Sequence, residues 1–170
     1  ELGIDFVYSA FHIEESLEEA VKGAYALGIS GLNITIPFKQ EVMSHLLELS
    51  DEAKIIGAVN TLLRINGGYK GYNTDVYGIK TALEKADIDI NKKDIVLLGA
   101  GGAAKAVLYV CAKEGVESVS LISRDINKAK VLSESIKASF PDIKLNFIKL
   151  SELDAKGSIN EYLPKNDYIA

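Results

Sequence analysis

The chain has 170 residues, 48% hydrophobic and 25% charged, enough to bury a sizeable globular core. A net charge of -5 without an arginine-rich segment excludes a typical nucleic-acid binder. No apolar run reaches the length of a membrane span, and a single cysteine, Cys111, leaves no internal disulfide. No secretion signal is visible, so a reducing cytoplasm is expected, with Cys111 a buried structural thiol. Glu1 is not an initiator Met, and 167–170 read as a strand just beginning, so the chain reads as a piece of a longer protein.

In chain order, 5–13 is rich in β-branched and aromatic residues and reads as a strand. Residues 16–27 read as a helix: Leu17, Ala20, Val21 and Ala24 share one face, Ser16 suits the N-cap, and Gly28 the stop. Residues 31–37 read as a strand, with Leu32, Ile34 and Ile36 on one face and Asn33 and Thr35 on the other. A helix is expected over 38–49 and a short one, capped by Ser50-Asp51, up to Ile56. Strands over 58–65 and 69–73 flank Asn66-Gly67-Gly68, a hairpin turn, and 75–86 reads as a helix. The polar stretch 87–93 marks a boundary.

From Asp94 the pattern alternates. Strands are expected at 94–98, 118–122 and 144–149, with helices at 102–114 and 126–139 between them. Such alternation implies crossover connections and a parallel sheet. Ile95 to Leu98 form an apolar run of the kind buried on both faces.

That run leads into Gly99-Ala100-Gly101-Gly102-Ala103-Ala104, spaced as G-x-G-x-x-A between a strand and a helix. Gly99 permits the tight turn, Gly101 lets a diphosphate approach the backbone, and Ala104 lets the helix pack close. The free N–H groups and dipole of the helix N-terminus suit the anion. Gly99, Ala100, Gly101, Gly102 and Ala103 are therefore the candidate cofactor cradle; the competing reading is a structural turn. The next strand ends in Ser123-Arg124-Asp125, where an NAD-binding unit usually carries an acid for the ribose 2′-hydroxyl. Arg124, with Lys128 one turn on, suits a 2′-phosphate instead, which points to NADP.

Several polar residues lack an obvious structural purpose. Asn33 and Thr35 share a strand face, although a solvated edge explains them too. Lys39, placed in the first turn of the expected helix, opposes its dipole, a local rule often broken at functional sites; the alternative is a surface lysine. Asn60 interrupts an apolar strand, and Asp75 opens a helix, where a plain N-cap competes with a functional role. His12 and His45 have no partner at metal-ligand spacing, so no metal site is expected.

Together these segments resemble the shikimate dehydrogenase family. Gly31-Leu-Asn-Ile-Thr-Ile-Pro-Phe-Lys39 is similar to its G-x-N-V-T-x-P-x-K, Gly57-Ala-Val-Asn-Thr61 to its G-A-x-N-T, and Gly71-Tyr-Asn-Thr-Asp75 to its G-x-N-T-D. The glycine loop matches its cofactor loop, and Ser123-Arg-Asp125 falls where it has N-R-T, with Ser123 and Asp125 departing from the pattern. The resemblance implies an α/β fold: a three-layer substrate domain with a mixed, mainly parallel sheet over 1–86, then part of an NADP-binding Rossmann domain over 87–170. It implies NADP-dependent, reversible oxidation of shikimate to 3-dehydroshikimate in aromatic biosynthesis, in the cytoplasm, by a monomer or homodimer. It further implies that Lys39 exchanges the proton of the reacting hydroxyl and pairs with Asp75. Thr35, Asn60 and Asn33 would hold substrate hydroxyls, Asp51 would stand near the cofactor, and Ser123, Arg124 and Lys128 would contact it. Motifs for the other side of the cleft lie outside these 170 residues, so the segment alone is expected to be inactive. Two other readings stay open: a quinate/shikimate enzyme with looser substrate or cofactor choice, and a nucleotide-binding sensor without turnover.

Overall fold

A computed structural model describes Gly3 and residues 5–156, and the strand expected at 167–170 lies outside the described residues. Helix α1, Leu17–Ala26, begins where Ser16 Oγ accepts from the Glu19 N–H at 3.2 Å, and it buries Leu17, Val21 and Ala24. The segment 5–13 before it is not a strand, and no described sheet includes it. Its Phe6, Val7, Tyr8 and Phe11 are all exposed. β-propensity describes fit to a paired, half-buried surface; without a ladder partner it does not make a strand.

Strand β1 is shorter than expected, Gly31–Asn33; the chain turns over 36–40 and leaves Ile36 exposed. The helix expected over 38–49 is replaced by a 3-10 turn, Glu41–His45, and a two-residue strand β2, Glu48–Leu49. Tertiary packing explains the change. Val42 is fully buried, with Phe38, Met43, Leu46 and Leu49 around the same core. Leu46 and Leu49 close directly onto Gly71, where a β-carbon would lie 2.5 Å from one and 3.1 Å from the other. A continuous helix would carry these side chains away from that contact, and packing outweighs helical periodicity.

Helix α2, Asp51–Ile56, is capped by Ser50 as expected. Strands β3, Thr61–Ile65, and β4, Gly68–Tyr72, form the expected hairpin around Asn66-Gly67, though β3 starts three residues later than 58. Helix α3 is Asp75–Lys85. The first sheet has the order β1-β3-β4-β2 and is mixed, as expected. Its β1–β3 and β3–β4 pairs are antiparallel and only β2–β4 is parallel, so the parallel share among described strands is smaller than expected.

The second half follows the expected alternation closely: β5, Asp94–Leu98; α4, Gly102–Glu114; β6, Ser118–Ser123; α5, Ile126–Ser139; β7, Lys144–Lys149. A further helix α6, Leu150–Lys156, was not foreseen. The three strands form a parallel sheet in the order β5-β6-β7. The strand buried throughout its second half is the central β6, whereas β5 is half-buried and Leu98 exposed, because β5 lies at the edge of the described sheet.

Two larger apolar clusters hold the chain together, beside a small third one of Ile122, Ile148 and Leu153. One of the larger two joins Leu17, Val21, Val42, Ala53, Val59, Leu62 and Tyr69. The other centres on Leu108, Val119, Leu121 and Ile136, each worth roughly 1.5–3 kcal/mol of transfer free energy. Ile56 of α2 belongs to this second cluster, and Val76, Ile79 and Leu83 of α3 pack against it. The helix that begins at Asp75 therefore leans on the helix that follows the glycine loop.

Candidate functional site

Three segments converge on one carboxylate. The turn over 36–40 carries Lys39, whose backbone carbonyl accepts from the Val59 N–H at 2.7 Å. Asn60 stands just before β3, its N–H donating to the Tyr72 carbonyl at 3.0 Å while its own carbonyl accepts from the Ile34 N–H at 2.8 Å. Asp75 is the first residue of α3, where a negative charge complements the helix dipole. Its two oxygens have separate partners: Asn60 Nδ2 donates to Oδ1 at 2.9 Å and Lys39 Nζ to Oδ2 at 3.4 Å.

Asp75 is not the N-cap of α3. Thr74 occupies the N-cap position, and the Asp75 carboxylate is spent on Lys39 and Asn60. The dipole argument for Lys39 also lapses, because no α-helix begins there. What marks Lys39 is its carboxylate partner 36 residues away. With side chains of Lys39 and Asp75 34% and 38% exposed, the pair is open enough to meet a ligand and sheltered enough to be oriented.

Further residues hold this cluster. Asn60 Oδ1 accepts from the Thr74 N–H at 2.9 Å, the Thr74 hydroxyl at 3.1 Å and the Thr61 hydroxyl at 2.9 Å. The amide of Asn60 is thereby fixed with its NH2 toward Asp75. Asn73, only 4% exposed, donates to the Ala58 carbonyl at 3.0 Å and accepts from the Asp75 N–H at 3.2 Å. Residue-by-residue reasoning missed Thr61, Asn73 and Thr74, although all three sit inside the quoted G-A-x-N-T and G-x-N-T-D stretches.

The other expected substrate residues lie beside the cluster without bonding to it. Asn33 pairs opposite Thr61 in the β1–β3 ladder, is exposed, and donates from Nδ2 to the Tyr8 hydroxyl at 3.0 Å. Thr35 is exposed one residue beyond Ile34, which bonds Asn60. Asp51 stands apart: it opens α2, is 91% exposed, and pairs with Lys54 at 3.5 Å. It lines an open groove of about 690 Å³ that shares no residue with the Lys39 cluster.

The glycine loop has the geometry of an anion cradle. Gly99 has φ +100, a conformation that L side chains rarely adopt. Its N–H donates to the Ile122 carbonyl at 2.8 Å, setting the loop beside the end of β6. No side chain caps α4, and β-carbons built at Gly99, Gly101 or Gly102 would meet nothing within 4 Å. The protein's own packing leaves the space beside these glycines open, so the residues fit a diphosphate. Gly101, Gly102 and Ala103 are exposed, while Ala104 is buried.

At the adjacent strand end Arg124 and Lys128 are exposed, and neither side chain makes an ion pair with the described residues. Asp125 is the N-cap of α5, its Oδ1 accepting from the Lys128 N–H at 3.1 Å. Ser123 is buried, and its hydroxyl donates to the Asp125 carbonyl at 2.7 Å. Cys111 lies in the core on α4, where burial pushes its thiol up to about 12. Among the described residues no cluster of His, Cys, Asp and Glu has metal-ligand geometry.

A mixed sheet bearing a lysine–carboxylate–amide cluster, followed by a parallel Rossmann-type sheet with an open glycine loop, defines a two-part α/β protein. Family models agree. One described as "Shikimate dehydrogenase substrate binding domain" matches residues 1–62, and one described as "Shikimate / quinate 5-dehydrogenase" matches 80–161. The chain belongs to the shikimate dehydrogenase family. It is 43% identical over 160 residues to shikimate dehydrogenase (NADP(+)) of Caldanaerobacter subterraneus subsp. tengcongensis, covering 94% of this chain and 57% of that protein. Shikimate 5-dehydrogenase of Listeria monocytogenes, in complex with shikimate and NAD, superposes with a TM-score of 0.83 at 33% identity, over 91% of this chain and 54% of that one. A shikimate dehydrogenase in complex with NADP+ gives 0.80 at 40% identity, over 89% and 54%. The chain thus spans about half the length of the relatives it matches.

Proposed function

We propose that this protein, at full length, catalyses the NADP-dependent, reversible oxidation of shikimate to 3-dehydroshikimate, a step of aromatic biosynthesis. The observation that carries the reading is the Asp75 carboxylate shared between Lys39 Nζ and Asn60 Nδ2. Oxidising a secondary alcohol requires the hydroxyl proton to leave as the carbon loses a hydride. Lys39, in its amine form, takes that proton at Nζ and returns it in the reverse direction. Asp75 orients Lys39 and steadies the ammonium that forms. Asn60 holds Asp75 in place, and Asn33, Thr35 and Asn60 meet the substrate hydroxyls.

NADP+, when bound, supplies the hydride acceptor. Gly99 to Ala103 and the α4 N-terminus would hold its diphosphate, and Arg124 and Lys128 its 2′-phosphate, the requirement being a bidentate, cationic partner. Asp51 joins the cofactor side of the cleft, on a helix that packs against α4. Residues 1–86 form the substrate part and 87–170 the first part of the cofactor domain, a division supported by the two family matches. The protein works on a small molecule in the cytoplasm as a monomer or homodimer; among the described residues no helix is long and apolar enough to cross a membrane.

The test is turnover by the full-length protein with shikimate and quinate, each with NADP+ and NAD+. Fastest turnover with shikimate and NADP+ is expected. Preference for quinate would move the protein to the quinate branch of the family, and no turnover with either polyol would leave a nucleotide-binding sensor.

A further inference from the structure

The turn between β6 and α5 is held at both ends by side chains, with Arg124 between them. At one end the Ser123 hydroxyl, 6% exposed, donates to the Asp125 carbonyl at 2.7 Å. At the other the Asp125 carboxylate accepts from the Lys128 N–H at 3.1 Å and caps α5. Ser123 is the last residue of β6, paired with Lys149 of the parallel neighbour, so one side of the turn is also anchored in the sheet. Arg124 is exposed, and its side chain makes no hydrogen bond or ion pair to the described residues.

We infer that Ser123 is a specificity-determining positioning residue: its hydroxyl acts through the Asp125 carbonyl to present Arg124 to the 2′-phosphate of the cofactor, and does not itself touch that phosphate. The inference rests on the NADP reading above. Its physical basis is the hydroxyl's single proton. A buried serine that donates to Asp125 has no proton left for a phosphate oxygen. A turn fixed on either side of Arg124 has little backbone freedom left to lose when the guanidinium docks, so only the side-chain entropy remains to be offset. Asp125 completes the device by spending its carboxylate on a backbone N–H.

The test uses the full-length protein and two probes differing at the 2′ position, adenosine 2′,5′-bisphosphate and adenosine 5′-monophosphate, with Kd measured by calorimetry. Ser123→Ala is expected to lower the preference for the bisphosphate about three- to tenfold, the scale of one net hydrogen bond. Ser123→Cys keeps most of the side-chain volume, replaces the hydroxyl with a weak donor and should behave alike, which separates the effect from a packing defect. In an Arg124→Ala background neither change should lower the preference further, because the effect passes through the arginine. An unchanged preference in the single variants overturns the inference, and so does an additive loss in the Arg124→Ala background, which would mean direct contact. If the parent protein oxidises neither polyol but the coupling between Ser123 and Arg124 is seen, the reaction assignment fails and the inference stands.

Discussion

Asn60 Nδ2 donates to Asp75 Oδ1 at 2.9 Å, and this bond, spanning 15 residues, turns a helix-opening aspartate into an oriented partner for Lys39. The amide cannot rotate away without losing three other bonds, since its oxygen accepts from the Thr74 N–H and from the Thr61 and Thr74 hydroxyls. With one carboxylate oxygen held by a neutral amide, the other faces Lys39 Nζ.

Lys39→Met in the full-length protein is expected to lower kcat about 10²–10⁴-fold, the range for losing a general acid–base group, while KM for the polyol changes much less. Steady-state kinetics check this. A variant that keeps most of the parental kcat would remove Lys39 from the proton path.

Asp75→Asn should damage turnover far more than stability. The Lys39–Asp75 pair is over a third exposed and contributes about 0–1 kcal/mol, and losing the charge at the helix start costs about 0.3–1 kcal/mol more. A fall in kcat of about 10²-fold is expected, with Tm lower by only a few degrees. Unchanged kinetics with a lowered Tm would return Asp75 to a purely structural role.

Asn73→Ala tests the support beneath the cluster. Asn73 is buried and satisfies both the Ala58 carbonyl and the Asp75 N–H. Leaving both unpaired should cost about 1–3 kcal/mol, read as a drop in denaturation midpoint at constant m. If the midpoint does not move, water replaces the amide and Asn73 is not the anchor described here.

At the turn between β6 and α5, Asp125→Ser keeps the helix cap and removes the charge, since serine caps as well as aspartate. Discrimination between NADP and NAD should rise a few-fold, as expected from lifting roughly 1 kcal/mol of screened repulsion. Arg124→Ala should erase most of the preference. A lower NADP preference in Asp125→Ser would mean that the carboxylate organises the turn through its charge and not through its cap.

Cys111 provides a prediction in pH. Burial raises its thiol to about 12, so at pH 8 alkylation of the native protein should be slower than that of a free cysteine by about 10³-fold, following the thiolate fraction. The folded value lies above the unfolded one, so the unfolded chain binds fewer protons at high pH. The contribution is intact below about pH 9 and is lost progressively as pH rises toward 12. Cys111→Ala should show a shallower alkaline decline in unfolding free energy than the parent, and equal slopes would mean that the thiol is reached by water.

The amino-acid sequence alone determined the features that depend on local chemistry. Ser16 and Ser50 cap helices because their hydroxyls reach an N–H three residues on, whatever the rest of the chain does. Asn66-Gly67 closes a hairpin, and the alternation after Asp94 specifies a parallel sheet with its glycine loop, since each apolar strand must be covered by the helix that follows it. Asn60 and Asp75 were recognisable as polar residues out of place, whereas Lys39 was marked by the Gly31–Lys39 motif and not by its supposed helix position. Only the tertiary structure decided how the three meet. Three segments far apart in sequence share one carboxylate because backbone bonds from Val59 to Lys39, and from Asn60 to Tyr72, draw them to the same edge. Tertiary packing likewise turned an apparent helix over 38–49 into a 3-10 turn and a strand, as Leu46 and Leu49 gain more by closing on Gly71 than a helix of that length gains from its own hydrogen bonds. The segment 5–13 shows the same limit from the other side: β-branched and aromatic residues favour a strand, but strand bonds come from a neighbouring chain, and no local pattern supplies one.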